Sequence, residues 1–188
     1  DPAHRGVVLE RTGRDIAALT GLAGGFVALL APFLLRIVAP PTYDPAAMTP
    51  AVGLVAIGSV LSVLYLANVH LVFASGRSTW LAVVTPLALV LGVAAAWAAG
   101  SALTLSAIGV GMAVTYAAMA AGVAVLARRV STTRWHESHL AAPLGVGVAL
   151  CLLGAALPTG GPWLVARGVA AGVLAALSLL ALRRVLTR

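Results

Sequence analysis

The amino-acid sequence predicts an all-α, polytopic membrane bundle of about six transmembrane helices with both ends cytoplasmic. Three observations predict it. Of 188 residues, 61% are hydrophobic and 9% charged, and the mean hydropathy is +1.05. An ordinary soluble domain carries roughly 25% charged residues, so too few charges remain here to cover a globule in water, and the bilayer becomes the solvent. Six apolar runs meet or approach the roughly 20 residues needed to cross a hydrocarbon core of about 30 Å as helix. Finally, the basic residues, 12 in number and all arginine, alternate from one connector to the next.

Residues 1–15, "DPAHRGVVLERTGRD", hold Arg5, Arg11 and Arg14. They read as a cytoplasmic segment, an internal loop of a longer chain. The apolar bundle occupies residues 16–182 and opens with a run from Ile16 to Ala39. That run stops at Ala39-Pro40-Pro41, because proline lacks an amide donor and restricts the residue before it. Tyr43 and Asp44 then supply a polar outer turn. The second run, Ala46 to Ala74, leads to "SGRS" with Arg77. The third, Thr79 to Ala99, contains Pro86, which predicts a kink.

After "GSA" comes the fourth run, Leu103 to Ala127, followed by Arg128, Arg129 and Arg134. The fifth, Leu140 to Leu157, is the shortest. "PTGGP" separates it from the sixth, Trp163 to Leu182, and residues 183–188 form a basic cytoplasmic tail. The connectors "PPTYDPAAM", "GSA" and "PTGGP" contain no basic residue. By the positive-inside rule this places both ends in the cytoplasm and favours six crossings over five or seven. Only Arg36 and Arg167 depart from the alternation. Runs this long, without strict apolar alternation, favour a helical bundle over a barrel. Trp80, Trp97 and Trp163 fall near run ends as interfacial anchors, and Trp135 in the charged loop is placed to dip into the headgroups.

Much is excluded. The single cysteine, Cys151, lies inside an apolar run, so a disulfide framework is impossible and a buried packing thiol is expected. The net charge of +7 raises nucleic acid as a partner. The arginines, however, sit at the ends of apolar runs, where anionic headgroups of the lipid bilayer are the natural partners. There is no Gly-rich phosphate loop, nucleophile elbow or pair of carboxylates, so neither an enzyme nor a cofactor is expected. "RWHESH", Arg134 to His139, offers His136, Glu137 and His139 but is not the helical HExxH pattern. It reads as a solvated, headgroup-binding loop, and no metal is expected. Glycines recur at small-residue spacing: Gly21, Gly24 and Gly25, then Gly109, Gly111 and Gly122, then Gly145, Gly147, Gly154, Gly168 and Gly172. Tight helix contact is their ordinary role.

The stretch "LLRIVAPPTYDPAAMTPAVGLVAIGSVLSVLYLANVHLVFASGRSTWLAVV" resembles the C-terminal half of bacterial polysaccharide flippases of the multidrug/oligosaccharidyl-lipid/polysaccharide export superfamily. In that family an apolar helix ends in a short outer turn with glycine, tyrosine and small residues. Tyr43, Ala46 and Ala47 match, while Pro40 or Pro41 stands where glycine is usual. Ser75-Gly76-Arg77 fits the small-Gly-Arg turn after the next helix. "SAIGVGMAVTYAAMA", Ser106 to Ala120, is similar to the family's Gly-rich helix entry; Ser106 replaces the first glycine, and Gly109 and Ala113 remain. The resemblance covers about Arg14 to Arg129 and leaves the last two runs as an extra pair. It implies one lobe of a two-lobed flippase in a bacterial inner membrane, with an N-terminal lobe as partner. It also implies alternating access and a lipid-linked oligosaccharide as substrate.

Four residues are candidates for that work. Arg36 sits about one turn from the outer end of the first run, and Arg167 four residues after Trp163. Snorkelling to the headgroups accounts for either arginine in the ordinary way. Functionally, each is a cationic contact for a pyrophosphate-linked lipid, since the planar guanidinium makes paired hydrogen bonds to phosphate. Tyr43 joins them as a substrate-binding candidate. His70, close to Asn68 in "YLANVHLVF", is a proton-relay candidate or a packing residue. A non-transporting six-helix scaffold or accessory subunit is the alternative function; a lipid-modifying enzyme using His136 and His139 is a more distant one.

Overall fold

The computed structural model describes residues 2–40, 42–133 and 135–186. Six helices follow one another: α1 Pro2–Val38, α2 Pro45–Ala74, α3 Leu81–Ala102, α4 Val110–Val130, α5 Ala141–Ala156 and α6 Pro162–Leu186. Single 3-10 turns at Ser78–Trp80, Leu105–Gly109 and Glu137–Leu140 lead into α3, α4 and α5. Among the described residues there are no strands, and six helices are long and apolar enough to cross a membrane. Pro41, Arg134 and Arg188 lie outside the described residues, as do the side chains of Arg5 and Arg184.

The starts of α1 and α4 differ most from the sequence reading. Residues 2–15 are not a loop; they form the first turns of α1. Pro2 fits the first helical position, where an amide would lack a partner anyway. Leu9 packs against the cluster of Val69, Leu71, Val72, Val123 and Ala127, and Gly13 lies against Leu140. Docking onto the rest of the bundle therefore fixes a segment whose local sequence looks irregular. At 37 residues, α1 is about 55 Å long, so several of its turns project beyond a core of about 30 Å. Glu10 belongs to those projecting turns, ahead of Ile16, where the apolar run begins.

Helix α4 starts at Val110 rather than Leu103. Thr104 is extended, with φ −146° and ψ 160°, and its hydroxyl pairs with that of Ser106 at 2.8 Å. Such hydroxyls compete with helical backbone bonds. The turn brings the Gly109 backbone onto α2, where a Cβ would sit 2.7 Å from the Ala51 carbonyl oxygen. At the α1–α2 turn, the Tyr43 amide donates to the Pro40 carbonyl at 3.0 Å. Asp44 then caps α2, its Oδ1 accepting the Ala46 amide at 2.9 Å, with Pro45 at the first helical position. The double-proline stretch is thus a helix stop followed at once by a helix start. At the α2–α3 turn, Gly76 adopts φ +71°, the left-handed position at which helices favour glycine. Helix α3 continues through Pro86.

Helices α1 and α2 form the centre. Helix α1 packs on α2, α5 and α6, and α2 packs on α1, α4 and α5; α4 also carries α3 on its far side. The order across the bundle is therefore α3, α4, α2, α1, α6, with α5 laid over α1 and α2. The flanking helices are mostly exposed; α3 buries only Ala88 and Gly92.

Between membrane helices, close packing must replace the hydrophobic drive. Gly21 of α1 lies backbone to backbone against Gly147 of α5, where a Cβ on Gly21 would come within 2.9 Å of the Gly147 Cα and one on Gly147 within 2.6 Å of the Gly21 Cα. Gly154 meets Ala28, and Gly24 meets Val60 and the buried thiol of Cys151. Gly145 of α5 and Gly168 and Gly172 of α6 face open space instead. Trp80, Trp97 and Trp163 are exposed near helix ends. Trp135 differs from expectation: it is half-buried and packs against two apolar clusters.

Candidate functional site

The start of α1, the end of α2, the start of α3 and the end of α4 converge on the Val69–Val123 cluster. Arg11, Arg14, Arg77, Arg128 and Arg129 are exposed around them, so this is the basic end of the bundle. The turns α1–α2 and α5–α6 mark the opposite end.

The structure distributes the four candidate residues widely. Arg36 and Tyr43 are both exposed at the opposite end, Tyr43 by 57%. His70 is exposed on α2 near the basic end. From Pro45 to His70, α2 rises about 38 Å, so His70 and Tyr43 share no site.

Arg167 is the most changed from its sequence reading. It does not snorkel: it is 0% exposed, the largest fully buried side chain among the described residues. Its Nη1 donates to the Gly154 carbonyl at 3.0 Å, and Nη2 donates to the same oxygen. The reason lies in α5. The natural donor to the Gly154 carbonyl would be the amide four residues on, and that residue is Pro158, which has none. Arg167 fills the gap with a cation, favourable also at the negative end of a helix dipole. Its Nε has no hydrogen-bond partner.

At the basic end, polar side chains from distant parts of the chain converge. The His136 backbone amide donates to Glu10 Oε1 at 2.8 Å, and His136 Nδ1 lies 3.1 Å from the same oxygen. His139 Nε2 lies 3.8 Å from Glu10 Oε2. The Arg14 guanidinium donates to His139 Nδ1 at 2.9 Å. Because a guanidinium only donates, Nδ1 accepts, and the neutral ring carries its proton on Nε2. The His136 amide does most to hold the Glu10 carboxyl below the usual carboxylate range. Glu137 turns the other way, to Arg128 Nη2 at 2.8 Å. Beside that pair lies a cavity of about 160 Å³ lined by Asn68, Ser131, Thr133 and Trp135 among others. Asn68 is buried; its Nδ2 donates to the Leu64 carbonyl at 3.1 Å and its Oδ1 has no partner.

Sequence reasoning found the two histidines but not Glu10, which lies 126 residues from His136. The available signal was scarcity. The chain has 5 acidic residues, and two of them, Glu10 and Glu137, border the histidine loop in space.

These features define a multi-pass membrane protein: six apolar helices of spanning length, with charge gathered mainly at one end. No family model, curated protein or solved structure matches the chain.

Proposed function

We propose that the chain is one lobe of a flippase that moves a lipid-linked oligosaccharide across a bacterial cytoplasmic membrane by alternating access, with the basic end in the cytoplasm. The resemblance of Leu34 to Val84 to polysaccharide flippases supports this reading. The structural observation that carries it is the placing of polar side chains. The bundle is closed through its centre by glycine and alanine contacts, whereas Arg36, Tyr43 and His70 stand on its outside. A hydrophilic route would then run along this lobe against a second one, as in transporters whose site lies between repeats. In this scheme Arg36 and Tyr43 meet the pyrophosphate and sugar as they reach the outer leaflet. Arg167 reaches substrate only in a state that frees it from Gly154. His70 is the proton-relay candidate on the inward side.

Cells depleted of the chain should accumulate the lipid-linked precursor and lose surface polysaccharide. Restoring the chain with Arg36→Gln and Tyr43→Ala should leave that loss uncorrected. Full export by the double variant would remove these residues from the substrate path, and normal export in depleted cells would end the flippase proposal.

The second reading, a scaffold or accessory subunit, draws on α6, where Gly168 and Gly172 face open space beside exposed Val165, Val169 and Val173. Small residues flanked by branched ones suit a partner helix. A scaffold predicts loss of another membrane protein on depletion and no sensitivity to Arg36→Gln.

A further inference from the structure

We propose that Glu10, His136 and His139 form a binding site for one divalent transition-metal ion of the zinc class, which ties the first turns of α1 to the α4–α5 connector. Imidazole nitrogen with carboxylate oxygen is a donor set for zinc and its neighbours, not for magnesium or calcium. Two ligands about 2.1 Å from a tetrahedral ion lie about 3.4 Å apart. Here His136 Nδ1 lies 3.1 Å from Glu10 Oε1 and His139 Nε2 lies 3.8 Å from the other oxygen, Oε2; with one ligand atom taken from each residue, the three fall within 4.8 Å of one another. Closing the set takes shifts of about 1 Å in side chains that are partly or largely exposed. Three protein ligands leave the fourth position to water, which the exposed loop readily supplies.

The surroundings bear on the site in both directions. The His136 amide already holds Glu10 Oε1 at 2.8 Å, an outer hydrogen bond of the sort that orients a ligating carboxylate. The Arg128–Glu137 pair turns the loop's own acid away, at 2.8 Å from Arg128 Nη2. The rings of His136 and His139 stand edge to face with centroids 5.8 Å apart, which allows them to aim at a common point. Arg14 opposes binding. Its guanidinium on His139 Nδ1 keeps the proton on Nε2, the nitrogen the ion needs. Metal entry therefore moves the His139 proton from Nε2 to Nδ1, which breaks the Arg14 contact, and moves the His136 proton from Nδ1, where it faces Glu10 Oε1, to Nε2. Removing Arg14 should accordingly tighten binding, an effect that a merely polar network would not show.

The test uses the untagged full chain in detergent micelles or nanodiscs, with Zn²⁺ alone, bound metal being measured after equilibrium dialysis. The expected result is one Zn²⁺ per chain, weakened at least about tenfold by Glu10→Gln, His136→Ala or His139→Ala. Arg14→Gln should tighten binding by up to about fivefold, and His70→Ala should leave it unchanged. Far-UV circular dichroism checks that each variant remains helical. A readout without substitution is protection of His136 and His139 from diethyl pyrocarbonate by Zn²⁺ in the native chain. No bound zinc, or unprotected histidines, overturns the site. Equal binding by the His136→Ala/His139→Ala double variant overturns it too. Binding that survives Glu10→Gln but not the histidine substitutions overturns the three-ligand bridge.

Discussion

Arg36 and Arg167 look alike in the sequence: each is an arginine about one turn inside an apolar run, on the end of the bundle that otherwise lacks basic residues. In the structure they have opposite fates. Arg36, in the last turn of α1, is exposed. Arg167, near the start of α6, is buried on the Gly154 carbonyl. Depth in the run does not separate them; the neighbouring backbone does. The α1–α2 turn satisfies its own polar groups through the Tyr43 amide and the Asp44 cap. The α5–α6 turn contains Pro158, which orphans a carbonyl, and a cation from the next helix moves in to serve it.

The largest effect expected from breaking this comparison comes from Gly154 itself. A Cβ there would lie 2.6 Å from Ala28 Cβ and 2.7 Å from its carbonyl carbon. Gly154→Val should therefore force α1 and α5 apart at a cost of about 3 kcal/mol or more, read as a lower unfolding midpoint in detergent. Next is Arg167→Ala, which leaves a void and a buried unsatisfied carbonyl and should cost about 2–4 kcal/mol. A variant as stable as wild type would show that the carbonyl finds another donor. The pairing is sharpened by Pro158→Ala, which returns an amide to the chain. In that background Arg167→Ala should cost about 1 kcal/mol less, measured as a double-mutant cycle. The smallest effect belongs to Arg36→Ala, within about 0.5 kcal/mol. If Arg36 is instead as costly as Arg167, the two turns are energetically alike and the contrast fails.

The same contrast shows what the sequence could tell. Apolar runs of spanning length are local and compositional, so all six helices were legible, as were the stop at Pro40 and the polar turn at Tyr43 and Asp44. The thiol of Cys151 was legible as a buried group for the same reason. The helix at residues 2–15 was not, because its order comes from Leu9 and Gly13 docking on distant elements. Nor was Glu10 beside His136, since a separation of 126 residues leaves no local trace. The start of α4 was misplaced because hydropathy alone does not register the Thr104–Ser106 hydroxyl pair. Arg167 is a different case: Pro158 stands four residues after Gly154 in plain view, and a missing donor near a helix end already calls for an outside partner.

The crossing of Gly21 and Gly147 has a mechanical meaning. Where two backbones touch without intervening side chains, nothing can repack, so any change in the angle between α1 and α5 would turn about that point rather than slide along it. For such a change the crossing would be the fulcrum, with Glu10 on one arm of α1 and Ala28 on the other. Glu10 is about 16 Å from the fulcrum along α1, so a swivel of about 10° carries it about 3 Å. That travel matches the hydrogen bonds that join Glu10 to the histidine loop. Any clamp on Glu10 at the basic end thus fixes the angle between α1 and α5, and with it the seat of Gly154 on Ala28 at the far end of the lever.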